Sequence, residues 1–167
     1  METQENKQMA TIEALAYHEA GHAAAAILLK RGINYASIVP KEGMIAHCNL
    51  PERKVSAAQK PKWSEREILV LLSGPASEEL YSGAINRRGA AGDFNGAIEL
   101  TTDHEYQEEY LDEVYDKAKT FIKNHWEQVT ILAHSLLEHK HLSGVKMREQ
   151  LSSRFALLEG VRERPGG

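Results

Sequence analysis

The sequence of 167 residues contains a single cysteine, Cys48. One thiol excludes an internal disulfide and also excludes a structural zinc site built from several thiolates, and it fits a reducing compartment. Any metal site in this chain must therefore be made from histidines and carboxylates.

Three other features are missing from the sequence. No apolar run approaches the roughly 18 residues of a membrane span, and the N-terminus lacks the basic and then apolar pattern of a signal peptide. No GxxxxGK[ST] loop occurs, so activity independent of ATP is expected of this chain. The formal charge is −4, and lysines and arginines are scattered, which gives no reason to expect nucleic acid as a partner. We expect a cytoplasmic protein without a membrane segment.

Apolar residues at three-to-four spacing predict a mainly α fold, a bundle-like array of about five or six helices with a small two-stranded β-ribbon. The length fits one domain. We expect a flexible N-terminus over 1–10, the domain over 11–155 and a C-terminal tail over 156–167.

Capping residues, glycines and prolines predict where these elements begin and end. Thr11 caps a first helix that Gly32 closes, and Ser64 and Glu67 form a capping box at the start of a second helix, which Pro75 kinks and which ends at Gly83. The remaining predicted elements are strands at 37–39 and 44–49 and helices beginning near 93, over 108–124 and 125–139, and from a Ser143 cap to about 154.

The most informative stretch is His-Glu-Ala-Gly-His, from His18 to His22, in the middle of the first predicted helix. A helix turns about 100° per residue, so the two histidines lie about 40° apart on one face and can reach one zinc ion. Glu19 lies about 60° from His22, close enough to accept a proton from a water on that ion without being a ligand. The same five residues therefore supply two metal ligands and a base.

A catalytic zinc usually has three protein ligands, so a third must come from elsewhere in the chain. Asp93 is the first choice, because it follows a flexible loop at the predicted start of a helix. The competing role for Asp93 is an ordinary helix N-cap, which would exclude metal binding. Glu78 and Glu79 on the second helix are the alternative ligands, and spacing alone leaves these roles open.

These stretches together resemble the peptidase domain of the FtsH-type (M41-like) zinc metallopeptidases, over roughly residues 12–151. "HEAGHA" is similar to that family's zinc helix, "ASIVPKEGMIAHCNLPE" to its β-ribbon, and "LVLLSGPASEELYSG" to its helix ending in paired glutamates. "GAAGDFNGAIELTT" resembles the segment with the aspartate ligand, and "LDEVYDKAKTFIKNHWEQVTILAHSLLEHKHLSG" resembles the C-terminal helical hairpin. The family's usual membrane anchor and ATP-driven module are not part of this likeness, so we expect the peptidase domain to stand alone.

The resemblance implies one zinc ion per chain, bound by His18, His22 and Asp93, with Glu19 activating the zinc-bound water. Glu78 would then orient a histidine from outside the ligand set. An extended substrate would pair with the exposed edge of a strand, whose residues are Met44, Ile45, Ala46, His47 and Cys48.

The function implied is a zinc-dependent endopeptidase acting on unfolded or extended polypeptides. The alternative is a zinc-stabilised, non-catalytic module that binds peptides or proteins. A separate ATPase that delivers polypeptide, and assembly into a homo-oligomer, are both compatible with the resemblance.

Overall fold

The computed structural model describes residues 11–41, 43 and 46–162, with side chains to residue 153. Within these residues the fold is mainly α, as the sequence predicts. The helices are α1 (Ile12–Leu28), α2 (Lys60–Ser82), α3 (Ala91–Leu100), α4 (Gln107–Asn124), α5 (Trp126–His139) and α6 (Gly144–Arg162). The strands are β1 (Tyr35–Ser37), β2 (His47–Asn49) and β3 (His141–Ser143).

Helix α1 lies at the centre of the fold and packs against both α2 and α5. The side-chain oxygen of Thr11 accepts a hydrogen bond from the N–H of Ala14 at 3.1 Å, which confirms the predicted N-cap. The helix ends at Leu28, because Lys30 (φ 56°) and Gly32 (φ 86°) take left-handed backbone conformations. Its alanines are buried and small, so neighbouring helices can approach closely.

Helix α2 begins four residues earlier than the sequence predicts, at Lys60 instead of Ser64. Pro61 lies in its first turn, where a missing N–H costs nothing, and the predicted capping box does not form. The carboxylate of Glu67 instead pairs with the guanidinium of Arg31 at the end of α1. The helix continues through Pro75 and ends as predicted at Gly83, whose φ is 78°.

Helices α1 and α2 cross at Gly21, in the middle of the His-Glu-Ala-Gly-His stretch. A Cβ atom on Gly21 would overlap the carbonyl oxygen of Ser73 and the side chain of Ser77. The hydroxyl of Ser77 donates a hydrogen bond of 2.6 Å to the carbonyl oxygen of Tyr17. This close contact turns the histidine face of α1 toward α2.

The sheet has three antiparallel strands in the order β2-β1-β3. The predicted two-stranded ribbon is therefore corrected to a three-stranded sheet, in which β3 is the added strand. Ala36 of β1 lies opposite Cys48 of β2 and Leu142 of β3. Strand β1 lies two residues earlier than the predicted 37–39, and β2 is shorter than the predicted 44–49 because it begins only at His47. Residues Met44 and Ile45 of the predicted substrate strand lie outside the described residues. Strand β2 is one edge of the sheet.

The chain closes with α6, which runs to Arg162 and so extends beyond the predicted end near 154 and into the predicted tail. The Ser143 hydroxyl accepts a hydrogen bond from the N–H of Lys146 at 3.2 Å, as expected of a helix cap. The predicted flexible N-terminus (1–10) and the last five residues lie outside the described residues. Among the helices that the structure describes, none has the length and apolar character needed to cross a bilayer.

Candidate metal centre

Three side chains from two helices converge beside the middle of α1. The Nε2 atoms of His18 and His22 are 3.1 Å apart. Asp93, from the first turn of α3, places Oδ2 3.0 Å from Nε2 of His18 and Oδ1 3.3 Å from Nε2 of His22. Among the described residues this is the one group of three or more histidines, cysteines and carboxylates placed to hold a metal ion.

The other ring nitrogens of the two histidines are held by acceptors. Nδ1 of His18 lies 2.9 Å from Oε2 of Glu78, and Nδ1 of His22 lies 2.9 Å from the carbonyl oxygen of Val70. A carbonyl oxygen and an ionised carboxylate only accept, so each Nδ1 carries the proton in the neutral ring. Both Nε2 lone pairs then face each other, a contact that a shared cation would make favourable.

Without a cation, the same contacts favour protonated histidines. Burial lowers the pKa of His18, but its hydrogen bonds to Asp93 and Glu78 outweigh that effect and raise the pKa to about 10. Burial likewise lowers the pKa of His22, and the charge of Asp93 raises it overall. Burial raises the pKa of Asp93, but the two histidines hold it well below its ordinary value. The arrangement of the three groups therefore favours a positive charge between them.

Glu19 is 5% exposed, and its Oε2 has no hydrogen-bond partner among the described residues. Its negative charge raises the pKa of both histidines, so the carboxylate lies within electrostatic reach of them. A buried carboxylate oxygen without a donor is costly. It is suited to accept a proton from a water molecule held beside it.

Asp93 and the two glutamates differ in their surroundings. Asp93 is not the N-cap of α3, which is Ala90, and its carboxylate faces the histidines. Glu78 is buried and accepts hydrogen bonds from His18 and from the N–H of Asn86 at 3.1 Å. Glu79 lies elsewhere, with its Oε2 accepting a hydrogen bond of 2.7 Å from the Tyr115 hydroxyl. The structure therefore brings Asp93 to the histidines and gives Glu78 a place behind His18, while Glu79 is separate.

Two features of the centre were missed at the level of sequence. A Cβ atom on Gly74 would overlap the imidazole of His22, so this position of α2 has room only for glycine. Tyr17 stacks between Tyr81 of α2, at 4.0 Å between ring centroids, and Trp126 of α5, at 5.1 Å. Gly74 could be noticed in the sequence because it precedes Pro75, but its contact with His22 could not be predicted from the sequence.

The donor set fits zinc. Two imidazole nitrogens and one carboxylate oxygen are ligands that zinc prefers, and tetrahedral ligands of a zinc ion lie about 3.3 Å apart. The contacts of 3.0 to 3.3 Å among Nε2 of His18, Nε2 of His22 and the Asp93 oxygens have that spacing. The unpartnered oxygen of Glu19 is a candidate base beside these three candidate ligands.

Residues 4–107 match the model of peptidase family M41. The chain belongs to this family. The M41 match contains all four residues of the centre, from His18 to Asp93.

Individual relatives of this M41 chain are much longer proteins. It is 28% identical over 186 aligned positions to the ATP-dependent zinc metalloprotease FtsH of Rickettsia bellii (strain RML369-C), covering 83% of this chain and 29% of that protein. It is 34% identical over 94 positions to the protein of the same name from Cupriavidus metallidurans (strain ATCC 43123 / DSM 2839 / NBRC 102507 / CH34), covering 54% of this chain and 14% of that protein. The chain thus spans less than a third of the length of these relatives.

Strand β2 of the M41 domain lies directly on the helix that carries the centre. The thiol of Cys48 donates a hydrogen bond of 3.3 Å to the carbonyl oxygen of Glu19. Burial and the nearby charge of Glu19 raise the pKa of this thiol, so it stays protonated and acts as a packing group. Ala46, His47 and Cys48 are half-buried. An edge strand therefore runs beside the candidate base.

Proposed function

We propose that this M41 chain is a zinc-dependent endopeptidase that hydrolyses peptide bonds in unfolded or extended polypeptides. The observation that carries the proposal is the convergence of His18 and His22 with Asp93. One zinc ion per chain would be held by these three side chains. The unpartnered carboxylate oxygen of Glu19 favours hydrolysis over a purely binding role, because a structural zinc site needs no base.

When bound, zinc supplies a Lewis acid that polarises a carbonyl oxygen and lowers the pKa of a water molecule. Glu19 takes a proton from the attacking water with its carboxylate and passes that proton to the nitrogen of the departing amine. Its low exposure keeps bulk water from competing for the proton.

The residues behind the histidines fix the orientation of the rings. Glu78 and the carbonyl oxygen of Val70 accept the two Nδ1 protons, which turns both Nε2 lone pairs toward Asp93. Such outer contacts set the tautomer and raise the basicity of the ligands. Glu78 is itself held by the N–H of Asn86, so the arrangement is anchored to the backbone.

The edge of β2 would bind the substrate as an added strand. A sheet edge offers N–H and carbonyl groups to any peptide that can extend, which favours unfolded segments over folded ones. The hydrogen bond from Cys48 to Glu19 ties this edge to the catalytic helix. A peptide paired with β2 would thereby lie beside the base.

A separate ATPase is proposed as the partner that delivers folded proteins to this site. The relatives are named ATP-dependent, and this chain corresponds to less than a third of their length. The polypeptide substrate itself needs only an extended segment.

The test is cleavage of an intrinsically disordered protein, read by mass spectrometry at equal zinc loading. The wild type is compared with Glu19→Gln and with Glu13→Gln, which neutralises an exposed glutamate on the same helix. Fragments from the wild type and Glu13→Gln, with none from Glu19→Gln, are expected. Absence of fragments from all three, with zinc bound and the disordered protein retained, would favour the non-catalytic binding module instead.

A further inference from the structure

A cavity of about 770 Å³ lies between the loop that follows β2 and the first half of α2. Leu29, at the end of α1, and Trp63 and Leu69 of α2 form the apolar part of its wall. The volume is in the range of sites that take a ligand of moderate size. None of the residues assigned to the metal centre lines this cavity.

The wall of the cavity is strongly basic although the chain has a formal charge of −4. Its four cationic side chains are those of Arg53, Lys54, Lys62 and Arg66. Glu65 is the acidic residue of the lining, and it lies 3.9 Å from Lys117. Across the described part of the chain, no carboxylate comes within ion-pair distance of any of the four cations.

Two of the lining residues also carry buried donors without acceptors in the described part of the chain. The indole N–H of Trp63 and the Nε–H of Arg66 are buried without a partner among the described residues. These two donors are covered by protein, so the four cations without an ion-pair partner among the described residues are what favour a ligand rich in anionic oxygens.

The cavity lies along the continuation of β2. Cys48 of β2 contacts the carbonyl oxygen of Glu19, and three residues later the carbonyl oxygen of Pro51 accepts a hydrogen bond of 2.7 Å from Arg31. Leu29, which lines the cavity, follows Glu19 by ten residues on α1, about 15 Å at 1.5 Å per residue. The loop after β2 thus runs along α1 from the base to the cavity.

We propose that this cavity binds acidic side chains of the polypeptide substrate, on one side of the scissile bond and about four or five residues from it. The distance follows from an extended chain, which advances about 3.3 Å per residue over the ~15 Å from Glu19. The inference rests on the proposed peptidase function. Arg53, Lys54 and Lys62 are exposed, so the cavity opens to solvent and lets a polymer pass, unlike an enclosed small-molecule site.

The experiment measures binding, so that it does not depend on turnover. Zinc-loaded Glu19→Gln protein is titrated into a fluorescently labelled disordered peptide carrying a run of aspartates on one flank of a bond that the wild type cleaves. A second peptide has asparagines in their place. The Lys54→Gln/Lys62→Gln variant is compared with Lys123→Gln/Lys146→Gln, which removes the same charge from exposed lysines away from the cavity.

The aspartate peptide should bind more tightly than the asparagine peptide. The Lys54→Gln/Lys62→Gln variant should bind the aspartate peptide about 3- to 10-fold more weakly than the unchanged cavity does, because two exposed charge contacts are lost. The control pair should change its affinity less than about 2-fold. When the run of aspartates is moved along the peptide, binding should be tightest with the run about four or five residues from the scissile bond, and on one flank only.

Equal binding of the two peptides, or equal effects of the two lysine pairs, would overturn the inference while leaving a cleaving wild type intact. Binding of inorganic pyrophosphate to the wild type, abolished by Lys54→Gln/Lys62→Gln and accompanied by no preference for aspartate, would assign the cavity to a small anion and overturn it too. If neither peptide binds and the wild type does not cleave a disordered protein, the proposed function fails as well.

Discussion

Gly74 of α2 lies directly against the imidazole ring of His22. A Cβ atom there would overlap Nε2, Cε1 and Cδ2 of that ring, so the absence of a side chain at position 74 is what lets His22 face Asp93.

Gly74→Ala should displace His22 and lower zinc affinity by about 10-fold or more, as other changes that reorient a metal-binding histidine do. Gly92→Ala on α3 is the control, because a Cβ atom there meets nothing within 4 Å. Zinc affinity is measured by competition with a chromophoric chelator. A Gly74→Ala protein that binds zinc like the wild type would contradict the role assigned to this contact.

The adjacent residues Glu78 and Glu79 should respond differently to the same change. Glu78→Gln removes the charge behind His18 and should weaken zinc binding about 10- to 100-fold. Glu79→Gln alters only the contact with Tyr115 and should leave zinc binding unchanged. Metal analysis after dialysis against a graded zinc buffer distinguishes the two, and the reverse order would make Glu79 the residue that supports the centre.

The metal-free protein should lose stability as the pH rises above 6.5. The pKa of His18 is raised from 6.5 in the unfolded chain to about 10 in the fold, so its contribution is complete below pH 6.5 and is lost as pH rises toward the folded value. Urea unfolding in excess chelator should show a decrease on the order of 1–2 kcal/mol between about pH 6.5 and pH 8.

Asp93→Asn is the control for this pH dependence, because Asp93 is the first group that raises the pKa of His18. The variant should show a flatter profile. With zinc present the trend should reverse, since protons and zinc compete for the same nitrogens. A metal-free wild type whose stability is constant over this range would count against protonated histidines in the centre.

Arg31 and Glu67 form a buried ion pair that ties the end of α1 to α2. Their side chains are 5% and 13% exposed, and Arg31 also donates to the carbonyl oxygen of Pro51. Arg31→Met leaves the Glu67 charge unpaired and should cost about 3–5 kcal/mol of unfolding free energy. Arg31→Met/Glu67→Leu should recover much of the loss, and Lys119→Gln, in an exposed pair, should change stability by less than about 1 kcal/mol.

The elements that could be predicted from the sequence depend on local signals. Thr11, Gly83 and the periodic apolar residues of α4 and α5 marked their helices, because capping and amphipathicity act over a few residues. The face shared by His18 and His22 also follows from helix geometry alone.

The remaining features depend on contacts between distant parts of the chain. Strand β3 is three residues long and pairs with a strand about a hundred residues earlier, so no local pattern indicated it. Glu67 looked like a capping residue because its real partner, Arg31, lies 36 residues earlier, just after the end of α1. The carbonyl oxygen of Val70 carries no side-chain signature at all, and its contact with His22 could be found only in the folded chain.

The third strand, β3, also determines how far the chain can be shortened from its C-terminal side and still fold. The family match ends at residue 107, yet α5, which packs on α1, and β3, which pairs with β1, both come after it. A polypeptide stopping at 107 would leave Tyr17 without Trp126 and β1 without one of its neighbours. The shortest piece that we expect to fold on its own must therefore reach at least Ser143.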